Sequence, residues 1–255
     1  MRNCLAPFFL GRVEHGLDAG LPPFDTVLPI SLVGDGLGTV ASINRINRAI
    51  ADFVSEALLS GETPVILCGD CLSAIGCLAG LQRQHESVNL VWCDAHGDFH
   101  TPETTISGHL GGMPLAMIAG RGDLSLLKGV EMTPFESNRI FFVGGRDLEN
   151  GEREALYGSG IVRGEKIADL LPSLPVGAPV WLHFDTDSIN PLDAPAMRYP
   201  AIGGPRAQQV KDDIRLLQRE RRLIGLSISA WTPHLDADQL TAAICWDTIL
   251  GGTLL

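Results

Sequence analysis

Two short acidic segments hold the residues best suited to chemistry: Asp94-Ala95-His96-Gly97-Asp98 and, about ninety residues later, His183-Phe184-Asp185-Thr186-Asp187. Each follows an apolar run, Val88 to Cys93 and Val180 to Phe184, that reads as a buried strand. Four carboxylates gathered at one sheet edge would repel one another strongly in a semi-enclosed cleft, and divalent cations remove that repulsion. On an extended segment, alternation puts Asp94, His96 and Asp98 on one side, while the small Ala95 and Gly97 let the backbone come close. Asp185 and Asp187 share the same period. Oxygen-rich ligation with one imidazole favours a hard or borderline divalent ion, with Mn²⁺ the natural candidate. A third segment, Gly69-Asp70-Cys71, follows the apolar run Pro64 to Cys68 and joins the same constellation.

The elements that must carry these residues alternate along the chain. Strands are expected at Val27 to Val33, Pro64 to Cys68, Val88 to Cys93, Arg139 to Val143, Val180 to Phe184 and Leu223 to Ser229. Helices are expected from about Thr39 to Ser60 and near Ser73 to Gln84, Gly151 to Tyr157 and Arg206 to Glu220. Short apolar strands alternating with helices predict an α/β fold, a three-layer α/β/α arrangement with a mainly parallel central sheet. In such sheets ligands bind beyond the carboxyl ends of the strands, which is where every acidic motif falls. No repeat or linker interrupts the chain, so residues 1–255 are expected to form a single domain.

Composition narrows the partners. With 19 Lys and Arg against 30 Asp and Glu, the formal charge of −11 argues against nucleic acid, and Arg219, Arg221 and Arg222 read as a helix end. No stretch approaches the roughly 20 apolar residues of a membrane span. The first ten residues are too short and Pro-broken for a signal peptide, so a cytoplasmic location is expected. The six cysteines are dispersed, mostly in apolar surroundings, which suits reduced thiols; Cys71, among the acidic motifs, is the exception.

At these residues the chain resembles the arginase, or ureohydrolase, family, which includes arginase, agmatinase and formiminoglutamase. Cys68-Gly-Asp-Cys71 is similar to the family's Gly-Gly-Asp-His, and Asp94-Ala-His-Gly-Asp98 to its Asp-Ala-His-x-Asp. Phe184-Asp-Thr-Asp-Ser-Ile-Asn-Pro191 resembles Phe-Asp-x-Asp-x-x-Asp-Pro, and Thr101 to Gly108 and Gly112-Met-Pro114 resemble the arginase loop that carries Ser107, a substrate-binding position. The resemblance runs from about Pro64 to Pro233; residues before about Thr39 match nothing nameable. It implies two manganese ions in an arginase-like fold. Asp94 and Asp185 would bridge them, Asp98 and the residue at position 71 would complete the first, and His96 and Asp187 the second. A metal-bridging hydroxide would attack the carbon, and Asp98 would pass its proton to the departing nitrogen. Homo-oligomeric assembly is implied by family habit.

Three departures bear on the substrate. Cys71 stands where arginases place a histidine ligand; a thiolate there makes the shell more negative and favours zinc or iron, or else stays a neutral thiol. The Cys68-x-x-Cys71 spacing also admits a redox pair. Gly111 replaces a histidine thought to shuttle protons, while His109 and His100 replace nearby asparagines and stand as substitute relays, polar anchors or exposed loop histidines. Ala230 aligns with the glutamate that binds the guanidinium, so the charge that recognises arginine is absent, and Arg198 and Tyr199 occupy a pocket stretch that is small and neutral in arginases. Asp147, Glu149 and Glu152 follow Arg146 as in the family; Glu149 reads as an α-amino binder or a surface ion pair. Cys at 71 and Gly at 111 resemble a bacterial branch with hydroxyarginine-cleaving members, although those keep an acid at position 230. The expected activity is metal-dependent hydrolysis of a C–N bond in a small amidine, hydroxyguanidine or linear amide, with Arg198 meeting any anionic group and arginine itself disfavoured. The competing class is a non-catalytic arginase-like relative with a structural or regulatory role.

Overall fold

Continuous apolar runs become strands buried on both faces, as parallel sheets covered by helices require. The computed structural model describes residues 1–229 and 231–253. Its strands are β1 (Arg2–Ala6), β2 (Phe8–Phe9), β3 (Arg12–Val13), β4 (Thr26–Val27), β5 (Pro64–Cys68), β6 (Asn89–Asp94), β7 (Ile140–Gly144), β8 (Val162–Gly164), β9 (Pro179–Asp185) and β10 (Arg222–Ser229). The α-helices are α1 (Val40–Leu59), α2 (Ser73–Gln82), α3 (Pro114–Ile118), α4 (Ser125–Gly129), α5 (Asn150–Tyr157), α6 (Ile167–Leu170), α7 (Ala207–Glu220) and α8 (Leu240–Thr253).

Eight strands form one sheet in the order β4-β1-β5-β10-β9-β6-β7-β8, and every pairing in it is parallel. Strand alternation sorts the side chains into two cores. Ile66, Leu90 and Ile140 pack with α1 to α4 on one face; Val65, Leu67, Val91 and Leu182 pack with α6, α7 and α8 on the other. This is the three-layer α/β/α arrangement expected. After β5 the chain passes over two strand positions to β6, moves outward through β7 and β8, then returns to fill the gap with β9 and β10. That reversal leaves a crevice above the carboxyl ends of β5, β6, β9 and β10, where such sheets take ligands.

Helix α1 starts at a capping box between Thr39 and Ser42 and lies close against α2. Gly76 and Gly80 of α2 permit that approach: a Cβ on Gly76 would sit 2.6 Å from the Asn47 carbonyl oxygen, and one on Gly80 would collide with that of Ala51. Cys71, just before α2, is thereby fixed by the packing of two helices.

The amino-terminal region corrects the sequence reading. Val27 to Val33 is not one strand: β4 ends at Val27, Pro29 has no N–H to give a ladder, and Ile30–Val33 is a 3₁₀ turn. The inner strand of this region is β1, between β4 and β5, followed by the antiparallel hairpin β2–β3. The other expected strands and helices are present with ends shifted by a residue or two. Arg219, Arg221 and Arg222 do mark a helix end, and Arg221 donates to the carbonyls of Leu171 and Leu174.

Candidate metal centre and cavity

The acidic residues converge through turns rather than through strand alternation, which corrects the expectation of an extended Asp-x-His-x-Asp segment. β6 ends at Asp94, the chain bends at Ala95 and His96, and Asp98 takes a left-handed backbone with φ of 49°. Gly145 and Asp147 donate their N–H groups to the carbonyls of Asp94 and Ala95 at 2.9 Å, so the loop after β7 braces the bend. Glu152 of α5 is buried and accepts from the Phe99 N–H at 2.9 Å. Gly97 must be glycine here, because a Cβ would lie 2.6 Å from the Glu152 carboxyl carbon. Asp185 ends β9, and the 3₁₀ turn Thr186–Ser188 swings Asp187 back, with the Asp187 N–H donating to Asp185 at 2.9 Å. Arg146 ties this turn down through the carbonyls of Asp187, Ser188 and Ala201.

Two clusters result, each with donor atoms within 4.8 Å of one another: Cys71, Asp94 and Asp185, and Asp94, His96 and Asp187. Asp94 belongs to both. The Cys71 Sγ lies 2.9 Å from Asp185 Oδ2, and His96 Nδ1 lies 2.9 Å from Asp187 Oδ2 and 3.6 Å from Asp94 Oδ1. Trp92 Nε1 donates to Asp94 Oδ2 at 3.1 Å, leaving Oδ1 to accept from the His96 N–H at 2.8 Å. Asp98 is buried beside the clusters, and its Oδ2 has no hydrogen-bond partner among the described residues.

The electrostatics are those of a site short of positive charge. Burial, then Asp187, raises Asp94 to about 6. Burial and the neighbouring carboxylates push Asp98 and Asp185 well above the usual carboxylate range. Burial opposes a charge on His96, but its bonds to Asp187 and Asp94 outweigh that and hold it protonated to about 12. Burial, with Asp185 next, raises the Cys71 thiol. Mutually suppressed carboxylates and an orphaned buried oxygen are what cations would relieve, so the residues present fit a two-metal centre. The sulfur-containing cluster suits a softer ion than the imidazole-containing one.

All twelve residues singled out by sequence line one cavity of about 980 Å³. Cys71, Asp94, His96, Asp98, Asp185 and Asp187 lie together, while His100, Ser107, His109, Glu149, Arg198 and Tyr199 surround them. The cavity also takes Phe9, Leu10 and Glu14 from the β2–β3 hairpin, which carries no motif, and Asp70, whose Oδ2 accepts the Leu10 N–H and so fastens that hairpin next to Cys71. Asp70 stood inside a motif already noticed; the hairpin gave no signal in the sequence.

The arginase-family model matches residues 11–251. The chain belongs to the arginase family. Arginase from Bacillus caldovelox is 30% identical over 253 residues, covering 92% of this chain and 84% of that one. N(omega)-hydroxy-L-arginine amidinohydrolase from Streptomyces lavendulae is 30% identical over 199 residues, covering 77% and 70%. The solved structure of arginase from Bacillus subtilis superimposes with a TM-score of 0.82 at 26% identity, covering 100% of this chain and 99% of that one. The family match thus begins at residue 11, far ahead of Thr39, correcting the view that residues before Thr39 match nothing nameable.

Against this arginase-family background, the departures acquire geometry. A Cβ at Gly111 would lie 2.6 Å from His109 Nε2, so the imidazole of 109 fills the space into which a side chain at 111 would extend. Burial and the Arg198 charge lower the His109 pKa, keeping the ring neutral. His100 is no exposed loop residue: it is buried, with Nδ1 3.2 Å from Thr104 Oγ1 and Nε2 3.3 Å from Oε2 of the exposed Glu149. Arg198 pairs with Glu14 at 3.1 Å and lies 4.1 Å from the centre of the Phe9 ring, while Tyr199 meets His109 edge-on at 5.4 Å. Ser107 is exposed on the loop whose next residues include His109. Ala230 lies outside the described residues. Cys68 and Cys71 are both free and buried, and Cys68 donates to the Ile228 carbonyl. Among the described residues no helix is long and apolar enough to cross a membrane.

Proposed function

We propose that this chain is a metal-dependent hydrolase that cleaves a C–N bond in a small amidine, hydroxyguanidine or linear amide and does not use arginine. The observation that carries the reading is the pair of ligand clusters sharing Asp94 beside the buried, unpartnered Asp98 oxygen, all facing one cavity. Cys71, Asp94, Asp98 and Asp185 would hold one cation, and Asp94, His96, Asp185 and Asp187 the other. Manganese suits the oxygen donors; zinc or iron suits the sulfur. Two such cations supply positive charge that polarises a C–N group and brings the pKa of water near neutrality.

The chain's own groups do the rest. Asp98, with one oxygen unpartnered, takes a proton from water and returns it to the leaving nitrogen. His109, neutral and folded over Gly111, is the relay to solvent, and His100 anchors the loop through Thr104 and Glu149. Ser107, Glu149, Arg198 and Tyr199 contact the substrate. A methyl group at position 230 offers no carboxylate to a guanidinium, and a buried unpaired cation is heavily penalised. The hydroxyarginine amidinohydrolase relative supports a hydroxyguanidine as one substrate class. An anionic group on the substrate would share the Arg198 guanidinium with Glu14.

Manganese-loaded protein assayed against guanidines, hydroxyguanidines, amidines and linear amides tests this reading. Turnover is expected in one of the last three classes, with arginine at least about 100-fold poorer. Arginine as the best substrate contradicts the specificity, and a metal-loaded protein inert to the panel supports the non-catalytic reading. Homo-oligomeric assembly and a cytoplasmic location are part of the same proposal, checked by light scattering and cell fractionation.

A further inference from the structure

A row of fully buried polar side chains leads through the sheet to Cys71. Trp181 Nε1 donates to Ser227 Oγ at 3.0 Å; Ser227 Oγ lies 2.9 Å from His183 Nδ1; His183 Nε2 lies 3.2 Å from Ser229 Oγ; and Ser229 Oγ lies 3.0 Å from Cys71 Sγ. The three positions on β9 and β10 are otherwise core, and the His183 ring stacks on Trp92 at 3.9 Å. No strand packing needs an imidazole and two hydroxyls there, and a buried polar network must be satisfied at every member.

The Trp181 end sets its direction. Indole is a donor only, so Ser227 accepts from Trp181 and keeps its own proton to give. Its better acceptor is the imidazole Nδ1, since the sulfur of Cys77, which also lies against Ser227, is a weak one. The imidazole, accepting at Nδ1, carries its proton on Nε2 and donates to Ser229. At the far end Ser229, which accepts from His183, keeps its own proton for the Cys71 sulfur at 3.0 Å.

We infer that Trp181, Ser227, His183 and Ser229 form a one-way hydrogen-bond chain that delivers a fixed donor to the Cys71 sulfur, equipping it to serve as a thiolate ligand of the first cation. The inference rests on the metal-centre reading above. When the sulfur gives its proton to solvent and binds a cation, the Ser229 hydroxyl is already aimed at the negative sulfur, and His183, Ser227 and Trp181 act as positioning residues behind it. Outer partners of this kind orient a ligand and tune its basicity.

Cobalt(II) reports the sulfur directly, because a thiolate bound to cobalt gives a charge-transfer band in the near ultraviolet that oxygen and nitrogen ligands do not. Wild type loaded with cobalt should show the band and Cys71→Ser should lack it. Ser229→Ala should move the band to longer wavelength and weaken cobalt binding at that site about 10- to 100-fold. Ser227→Ala should move it the same way by less, and Ser229→Thr, which keeps the hydroxyl, should restore it. Bands that stay in place in both alanine variants overturn the inference. So does a wild type that binds two cobalt ions without any band, which leaves the metal centre intact; a wild type that binds no cobalt removes both. A protein that shows these shifts yet hydrolyses nothing in the panel keeps the inference and loses the hydrolase.

Discussion

Asp98 carries two opposed demands. Its buried carboxylate, with one oxygen unpartnered and other carboxylates close by, destabilises the metal-free chain and completes a cation site. Asp98→Asn should therefore stabilise the metal-free protein by about 1–3 kcal/mol while weakening metal binding, read as a raised urea midpoint in chelator and a lower manganese affinity. A lowered midpoint in chelator would contradict the repulsion. Gly111→Ala tests the relay without touching a titratable group. The new methyl carbon, 2.6 Å from His109 Nε2, must evict the ring, so turnover of whichever panel substrate is cleaved should fall about 10²-fold, as on losing a proton-transfer group. Unchanged turnover would place the relay elsewhere. Asp94, His96, Asp98, Asp185 and Asp187 were legible because acids and a histidine directly after apolar strands have few structural excuses, whereas Ser107, His100, His109, Glu149, Arg198 and Tyr199 were legible through the resemblance to the arginase family. Phe9 and Glu14 were not, since aromatic and acidic residues in a short hairpin look like any surface turn. Ser227, His183 and Ser229 were hidden for another reason: within a strand, serine and histidine look like tolerated polar positions until their partners are known.

Between elements, the close contact of α1 with α2 sets where Cys71 sits. Gly80→Ala would drive a methyl group into the Ala51 carbonyl, so α1 and α2 must part, and the movement of α2 carries Cys71 at its start. We expect a stability loss of about 1–3 kcal/mol together with weaker metal binding, seen in parallel urea and manganese titrations. Loss of stability with unchanged affinity would mean that Cys71 is fixed independently of the helix. Buried parallel strands were readable because both faces demand apolar side chains, as in Pro64–Cys68. β1 escaped notice because of its polar Arg2-Asn3 start. The turns at Ala95 to Asp98 and Thr186 to Ser188 also escaped, because the same spacing reads as strand alternation until φ of 49° at Asp98 is seen.

Over the whole molecule, proton uptake links the metal centre to stability. In the folded chain Asp94 keeps its proton to about pH 6, and burial and neighbouring carboxylates raise Asp98 and Asp185 well above the usual range, whereas unfolded carboxylates release theirs near about 3.9. The folded state therefore binds more protons, and its stability falls as pH rises above about 4. His96, protonated to about 12 in the fold and to about 6.5 unfolded, adds the same slope above neutrality. His183, held neutral by burial down to about 3, opposes the trend below about 6.5 and not above it. Metal-free protein should accordingly lose about 1.4 kcal/mol per pH unit for each extra proton between pH 6.5 and 8, measured by urea unfolding in chelator. Manganese should reverse the trend, since ligation displaces those protons.

The hydrolase depends on two cations binding among Asp94, Asp98, Asp185, Asp187, His96 and Cys71. Elemental analysis of the wild-type chain after manganese incubation and desalting measures this directly, with Asp94→Asn and Asp185→Asn alongside. About two equivalents per chain are expected for the wild type, with clear loss in both variants. Well under one equivalent in the wild type would contradict the metal centre and the hydrolase built on it.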